Sequence, residues 1–281
     1  MDVWKAAELG LLGAVKKLVS EGTPIDKTKR GDVTALHMAA LGGHVEMVEW
    51  LLDNGANINA RTLSQPGYPG AETPLYLAVA AGRTSVVDLL VRRGAKLNLK
   101  SSDGTSALAE ASGAGHTAIV SLLVDNGADL NPRGDFSPLF LAINARQLDI
   151  AKYLISRGAR IDAKTPPYKG SLLMSAAGSK WIDGLELLLQ LGADVNYQDE
   201  TGMTALHWGV LGFASRSTTW DLTNKRKKAV IVEPESAIPI VKRLLDAGAQ
   251  SDIRNRDGFT AREYAKKIRA QLLIDLFEKP V

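Results

Sequence analysis

The sequence predicts an all-α fold, a solenoid of stacked helix-turn-helix units, and three observations lead to this prediction. A Gly-Ala pair recurs along the 281 residues at intervals of 39, 33, 31, 34 and 56. A Thr or Ser stands 21 residues before the glycine of each of the first five pairs. Between these two marks the apolar residues follow helical spacing. Since two short helices cannot bury both of their apolar faces alone, the units are expected to stack on one another.

The composition excludes several classes of function. The chain is 45% hydrophobic, 23% charged and 6% aromatic, so its core is expected to consist mainly of Ala, Leu and Val. It contains no cysteine, which excludes disulfides, thiolate catalysis and cysteine-ligated zinc. A net charge of +3 is too small by itself to indicate a nucleic-acid partner. No apolar run approaches the roughly 18 residues of a membrane helix, so no membrane association is expected.

Each unit is predicted to contain the same elements in the same order. The Thr or Ser caps an inner helix, because its hydroxyl can accept a backbone N–H of the first turn. Proline follows at the first helical position in two units, at Pro74 and Pro138. A glycine-containing turn leads to an outer helix, which a second glycine such as Gly55 ends. The predicted caps are Thr34, Thr73, Ser106, Ser137, Ser171 and Thr204. The apolar stripe of the first complete outer helix consists of Val45, Val48, Leu51 and Leu52.

These units resemble ankyrin repeats. The segments TALHMAALGGHVEMVEWLLDNGANIN and TPLYLAVAAGRTSVVDLLVRRGAKLN each contain a TPLH-like opening, a GH-like turn and a GA-x-x-N ending. The same phrases recur in order across nearly the whole chain, which makes the resemblance specific. It implies an ankyrin-repeat solenoid, in which a β-turn finger precedes each inner helix.

The resemblance also implies a domain organisation. We expect residues 1–281 to form a single ankyrin-repeat domain of about eight units, which leaves no separate catalytic domain. Two insertions are expected within otherwise complete units, near 62–71 and 213–236. The predicted parts are an N-terminal cap repeat at 1–30, central repeats at 31–254 and a C-terminal cap repeat at 255–281.

The four histidines are expected to be structural. His37 and His207 occupy the H of the phrase TALH, and His44 and His116 the H of GH-like turns. In ankyrin repeats both positions resemble hydrogen-bonding sites that tie neighbouring loops together. Their spacing is unlike that of metal ligands such as HExxH. The segment 113–118 fits GxGxxA, but it joins two repeat helices rather than a strand and a helix. We therefore expect no enzyme activity, no cofactor and no metal.

The resemblance implies that a protein partner binds the concave face, which consists of the fingers and the inner helices. Three fingers carry large aromatic residues or arginine, which are enriched in interface hot spots. Tyr68 lies in the finger at 60–73, Arg133 and Phe136 in the finger at 131–137, and Tyr168 in the finger at 163–171. An alternative is that these rings pack against the next finger. The predicted binding residues are Tyr68, Glu72, Arg133, Phe136, Asn144, Tyr168, Glu200 and Trp220.

The second insertion leaves two interpretations open. It contains Trp220 and the apolar segment 229–232, which either contact a partner or fold back on the solenoid. It also contains the basic run Lys225–Lys228, which is either a solvated loop or a contact for an import receptor or phosphates.

The most direct functional prediction is a non-catalytic protein-protein interaction module that acts as an adaptor or inhibitor. Two alternatives stay open: a bacterial effector or toxin-immunity type inhibitor, and a nuclear or nucleic-acid-associated regulator that uses Lys225–Lys228. The free protein is expected to be a monomer in the cytoplasm, or in the host cell cytoplasm if it is a secreted effector.

Overall fold

The computed structural model describes residues 1–29, 31–63, 70–133, 136–165, 168–212 and 234–278. In these ranges the chain forms sixteen short α-helices and a 3₁₀ turn at Pro234–Ala237. The β interactions seen in the same ranges are isolated bridges, such as the one between Lys100 and Ser106. The predicted all-α fold of stacked helix pairs is therefore confirmed.

The chain divides into two larger parts, each made of several repeats. We call them unit 1, Met1–Ala159, and unit 2, Arg160–Val281. In both units inner and outer helices alternate along the chain. Unit 1 contains α1 Val3–Glu8, α2 Leu12–Ser20, α3 Ala35–Gly42, α4 Val45–Asp53, α5 Pro74–Ala80, α6 Thr84–Arg92, α7 Ala107–Ala114, α8 Thr117–Asp125, α9 Pro138–Asn144 and α10 Leu148–Ser156. Unit 2 contains α11 Leu172–Gly178, α12 Ile182–Gln190, α13 Ala205–Leu211, α14 Ile238–Asp246, α15 Ala261–Lys267 and α16 Gln271–Leu276.

The inner helices begin directly after the hydroxyl residues that were predicted to cap them. At five of the six predicted caps the side chain accepts the backbone N–H three residues later. Pro74 and Pro138 take the first position of α5 and α9, where a backbone N–H has no helical acceptor. Local sequence thus fixes where each inner helix starts. The five caps are Thr34, Thr73, Ser106, Ser137 and Ser171.

The inner helices of unit 1 pack side by side because their contact positions are small. Ala39, Ala78 and Ala142 are fully buried and allow the helix backbones to approach closely. The outer helices cover the other side of this layer with fully buried branched residues, such as Val87 and Leu123. Unit 2 repeats the scheme, with α13 packed between α11 and α15.

The apolar stripe of α4 differs in part from the prediction. Val48 and Leu51 are fully buried as expected, and Met47 is buried with them. Val45 is 36% exposed because it is the first residue of α4, at the turn rather than against a neighbouring helix.

The two predicted insertions leave the neighbouring elements intact. The ends of the first are joined by backbone hydrogen bonds, from Thr62 to Glu72 at 3.0 Å and from Ala71 to Thr62 at 2.7 Å. Around the second, α13 ends at Leu211 and the 3₁₀ turn leads into α14, with Ala237 buried. The segments 64–69 and 213–233 lie outside the described residues.

Candidate functional site

Unit 1 presents one continuous surface on four of its inner helices, α3, α5, α7 and α9, which we call the inner-helix face. It consists of side chains that the helix packing leaves partly or fully exposed. On α3 and α9 these side chains are spaced by three residues, as Leu141 and Asn144 are, so they project from one side of the helix. The residues that define the inner-helix face are Met38, Leu41, Tyr76, Glu110, Leu141 and Asn144.

This face carries a single charged side chain. The helices α3, α5, α7 and α9 contain no Asp, Lys or Arg, and their one Glu is Glu110. The hydroxyl of Tyr76 on α5 donates to Oε2 of Glu110 on α7 at 3.0 Å. Burial and then the nearby Glu110 carboxylate raise the pKa of the Tyr76 phenol, with a smaller contribution from Asp103. The pair therefore joins two neighbouring repeats by a charge-assisted hydrogen bond.

Backbone hydrogen bonds connect the fingers, the loops that precede the inner helices. In unit 1, Leu63 donates its N–H to Gly31 at 2.7 Å, and Ser102 donates to Gly70 at 3.1 Å. In unit 2, Glu200 donates to Tyr168 at 2.9 Å. In each of these pairs the later finger donates to a carbonyl of the finger before it. Side chains reinforce the series: the Arg61 guanidinium donates to the carbonyl of Lys100 at 2.6 Å.

His37 is buried and joins its own cap to the next finger. The N–H of Thr34 donates to Nδ1 of His37 at 3.1 Å, so the proton of the neutral ring lies on Nε2. Nε2 then donates to the carbonyl of Ala60 at 3.1 Å and lies 3.3 Å from that of Glu72. Burial lowers the pKa of His37, which favours this neutral form.

His207 makes the same kind of hydrogen bonds in unit 2 that His37 makes in unit 1. The two histidines of the GH-like turns, His44 and His116, are placed differently. Thr204 donates to Nδ1 of His207 at 3.1 Å, and Nε2 donates to the carbonyl of Phe259 at 3.1 Å. His44 joins the turns of the first two repeats, because its Nε2 donates to the carbonyl of Glu8 at 2.8 Å. The ring of His116 lies over Gly82, where a β-carbon would be 3.1 Å from it.

Three predicted binding residues lie in the last finger and inner helix of unit 1. Arg133 and Asn144 are exposed, and Asn144 belongs to the inner-helix face. Phe136 is only partly exposed, because its ring stacks on Phe140 of its own inner helix with the centroids 5.6 Å apart. The ring therefore packs within its own repeat.

The other described candidates are distributed over the two units. Tyr168 is 42% exposed in unit 2, and the Lys169 side chain beside it pairs with exposed Glu200 at 2.7 Å. Glu72 lies in unit 1 and is only 6% exposed, so it offers little side-chain surface to a partner. Tyr68 and Trp220 lie outside the described residues.

The pairing of Tyr76 with Glu110 was not predicted from the sequence, although the spacing of the two residues indicates it. The two residues are 34 positions apart, about one repeat, and residues one repeat apart are neighbours in a stacked array. Glu110 also stands out as the one charge in four apolar helices.

Two further properties concern the described part of the chain. No helix there is long and apolar enough to cross a membrane. Within those ranges no three His, Cys, Asp or Glu side chains are grouped in a way that could hold a metal ion.

Known proteins are similar to this chain in both sequence and structure. It is 30% identical over 278 residues to the putative palmitoyltransferase ZDHHC13 of Danio rerio, an alignment that covers 98% of this chain. The chain spans 34% of that protein's length. The human ASB11 ankyrin repeat domain superposes with a TM-score of 0.65 at 26% identity, covering 85% of this chain and 97% of that domain. The ankyrin repeat domain of Bcl-3, a member of the IkappaB family, gives 0.63 at 27% identity and covers 88% and 99%.

Family models agree with these similarities. A model of ankyrin repeats in three copies matches residues 3–101 and 75–165, which together make up more than half of the chain. A second ankyrin repeat model matches residues 173–212. With the capped inner helices and the hydrogen-bonded fingers, these matches show that the chain belongs to the ankyrin repeat family.

Proposed function

We propose that this chain is a protein-binding module without chemistry of its own, and that it binds its partner through the inner-helix face. One observation carries the proposal: the face leaves Leu41 exposed and Leu141 partly exposed, and it contains a single carboxylate, Glu110. A partner that covers such apolar side chains gains the free energy of removing them from water.

Similarity supports the same role. Ankyrin repeat domains generally mediate protein-protein interaction, and the two solved domains are matched over nearly their whole length. One relative is named for a transferase activity, but the chain spans only a third of it, so our proposal gives this chain the binding role alone.

The proposal includes an adaptor or inhibitor that is monomeric and cytoplasmic when free. Light scattering and cell fractionation would decide these two points. The alternative of a nuclear or nucleic-acid-associated regulator depends on Lys225–Lys228, which lies outside the described residues.

Affinity capture with a matched pair of variants tests the binding face. Leu41→Arg with Asn144→Arg places two charges on the inner-helix face, at positions exposed enough to leave the core intact. We expect this variant to bind the captured partner at least tenfold more weakly, since one interface hot spot contributes about 2 kcal/mol. The measurement is capture from native lysate with mass spectrometry, followed by titration of the purified partner.

The control variant is Gln190→Arg with Leu191→Arg, which places the same charges at the end of the outer helix α12, where Leu191 is 43% exposed. It should bind like the wild type. Equal affinity of all three folded proteins would show that the partner binds elsewhere.

A further inference from the structure

The strongest unexplained feature of the inner-helix face is the position of Glu110. Its carboxylate is partly buried on a surface whose other members are uncharged, yet no described cation forms an ion pair with it. The Tyr76 hydroxyl satisfies one carboxylate oxygen. Partial burial of a carboxylate costs free energy, which a single neutral donor offsets only in part.

Neighbouring groups increase the negative potential at this point. Asp103 lies in the finger before α7, close enough to Tyr76 to contribute to the raised pKa of its phenol. The Asp103 carboxylate is held by the Ser101 hydroxyl at 2.5 Å and by the Thr105 N–H at 3.0 Å, both neutral donors. Among the described residues no cation forms an ion pair with either carboxylate, so both act on the Tyr76 region in a way that favours an incoming positive charge.

The surroundings favour a particular cation. Gly113 has no side chain, and a β-carbon there would lie 3.4 Å from Leu141, so small and apolar groups of α7 and α9 form the surface beside Glu110. A planar, weakly hydrated guanidinium suits such an area better than an ammonium does. It can also stack on the ring of Tyr76 while it donates to the carboxylate.

We propose that the partner is a polypeptide that places an arginine, flanked by apolar residues, against Glu110 and Tyr76 of the inner-helix face. This inference rests on the proposed function and specifies the chemistry of the partner. The apolar flanking residues cover Leu41 and Leu141, and the arginine supplies the missing positive charge.

The inference is tested with random 12-residue peptides displayed on phage, selected on the full-length wild-type chain. We expect the enriched peptides to share an arginine between apolar residues. The dissociation constant of the best peptide, measured by fluorescence polarisation, should rise at least tenfold for Glu110→Gln. Replacing the peptide arginine by norleucine should have a similar effect on the wild type. The two changes together should weaken binding no more than either does alone, because both remove one interaction.

The control Glu46→Gln removes an exposed carboxylate from the outer helix α4 and should leave the dissociation constant within twofold. If the enriched peptides lack arginine, or bind Glu110→Gln as tightly as the wild type, the inference is wrong. The proposed function then still stands if Leu41→Arg with Asn144→Arg abolishes peptide binding, and it fails if that variant also binds normally. Enrichment of no peptide would overturn the inference, and lysate capture would still decide the proposed function.

Discussion

The buried histidines show how one side chain can hold two repeats together. His207 accepts a hydrogen bond from the cap of its own helix and donates one to Phe259 in the next finger. Substitution by Ala leaves the N–H of Thr204 and the carbonyl of Phe259 without this partner. We expect His207→Ala to lower the free energy of unfolding by roughly 1–3 kcal/mol, measured by urea denaturation. A variant that unfolds at the wild-type urea concentration would contradict this role.

The same residues should make stability fall in mild acid. Burial lowers the pKa of His37 and His207 in the folded state, so the folded protein binds protons less readily than the unfolded chain. Their stabilising contribution is complete above the ordinary pKa of about 6.5 and is lost as the pH falls below it. The variant His207→Gln has a side chain that can form hydrogen bonds near the cap but does not titrate. Its unfolding free energy should therefore change less between pH 7.5 and pH 5 than that of the wild type. An identical pH profile would assign the acid sensitivity to other groups.

Lys180 lies at a turn position with positive φ, where other repeats have either glycine, as at Gly43, or a residue with a side chain, as at Arg146. Gly43 has φ 84°, and a β-carbon there would lie 2.8 Å from the Arg83 side chain of the next repeat. Lys180 has φ 56° at the equivalent turn, close to the 57° of Arg146. Its Nζ donates instead to the carbonyl of Gly209 near the end of α13.

The environment of Lys180 predicts an alkaline gain in stability. Burial lowers the pKa of Lys180 to about 8. Below that pH the folded protein therefore carries a buried ammonium group, which lowers the free energy of unfolding. As the pH rises from about 8 towards 10.5 the penalty disappears, and wild-type stability should increase relative to Lys180→Met, by up to about 3 kcal/mol. Urea unfolding of both proteins at pH 7 and pH 10 measures this difference. A constant difference would show that the amine keeps an ordinary pKa.

At the scale of elements, the second insertion should be separable from its repeat. Helix α13 is complete before it, and the 3₁₀ turn places Ala237 in the core after it. We expect replacement of residues 214–233 by a short Gly-containing turn to leave helicity almost unchanged by circular dichroism. The unfolding free energy should stay within about 1–2 kcal/mol, because the shorter loop offsets part of any lost packing. If the variant were unfolded in the absence of denaturant, the segment would instead belong to the core.

The elements were predictable from sequence where local chemistry determines them. Hydroxyl caps and the helical spacing of residues such as Val48 and Leu51 depend on a few adjacent positions. The binding candidates were less predictable, because exposure depends on contacts between distant residues. Glu72 is buried by the closure of its finger, and Phe136 is partly covered by Phe140, and neither contact follows from periodicity.

At the scale of the whole molecule, each unit is a series of similar neighbours whose stability depends mainly on adjacent repeats. Ion pairs between outer helices follow the same rule, as Arg93 pairs with Asp53 of the preceding repeat at 2.6 Å. The pairing of Tyr76 with Glu110 could be read from the sequence only after the repeat length was known. The register of the repeats thus determines which residues of adjacent inner helices lie next to each other on the surface.

The hydrogen bonds between fingers have a consequence for how such a protein can diverge. The bond from Ser102 to Gly70, like the bond from Glu200 to Tyr168, joins main-chain atoms that almost any amino acid supplies. These backbone bonds therefore place little demand on side-chain identity at their own positions, so exposed residues of the inner helices can change without breaking them. One repeat can acquire a tyrosine and the next a glutamate without disturbing the joint, and new specificities can arise by single substitutions on a scaffold that already folds.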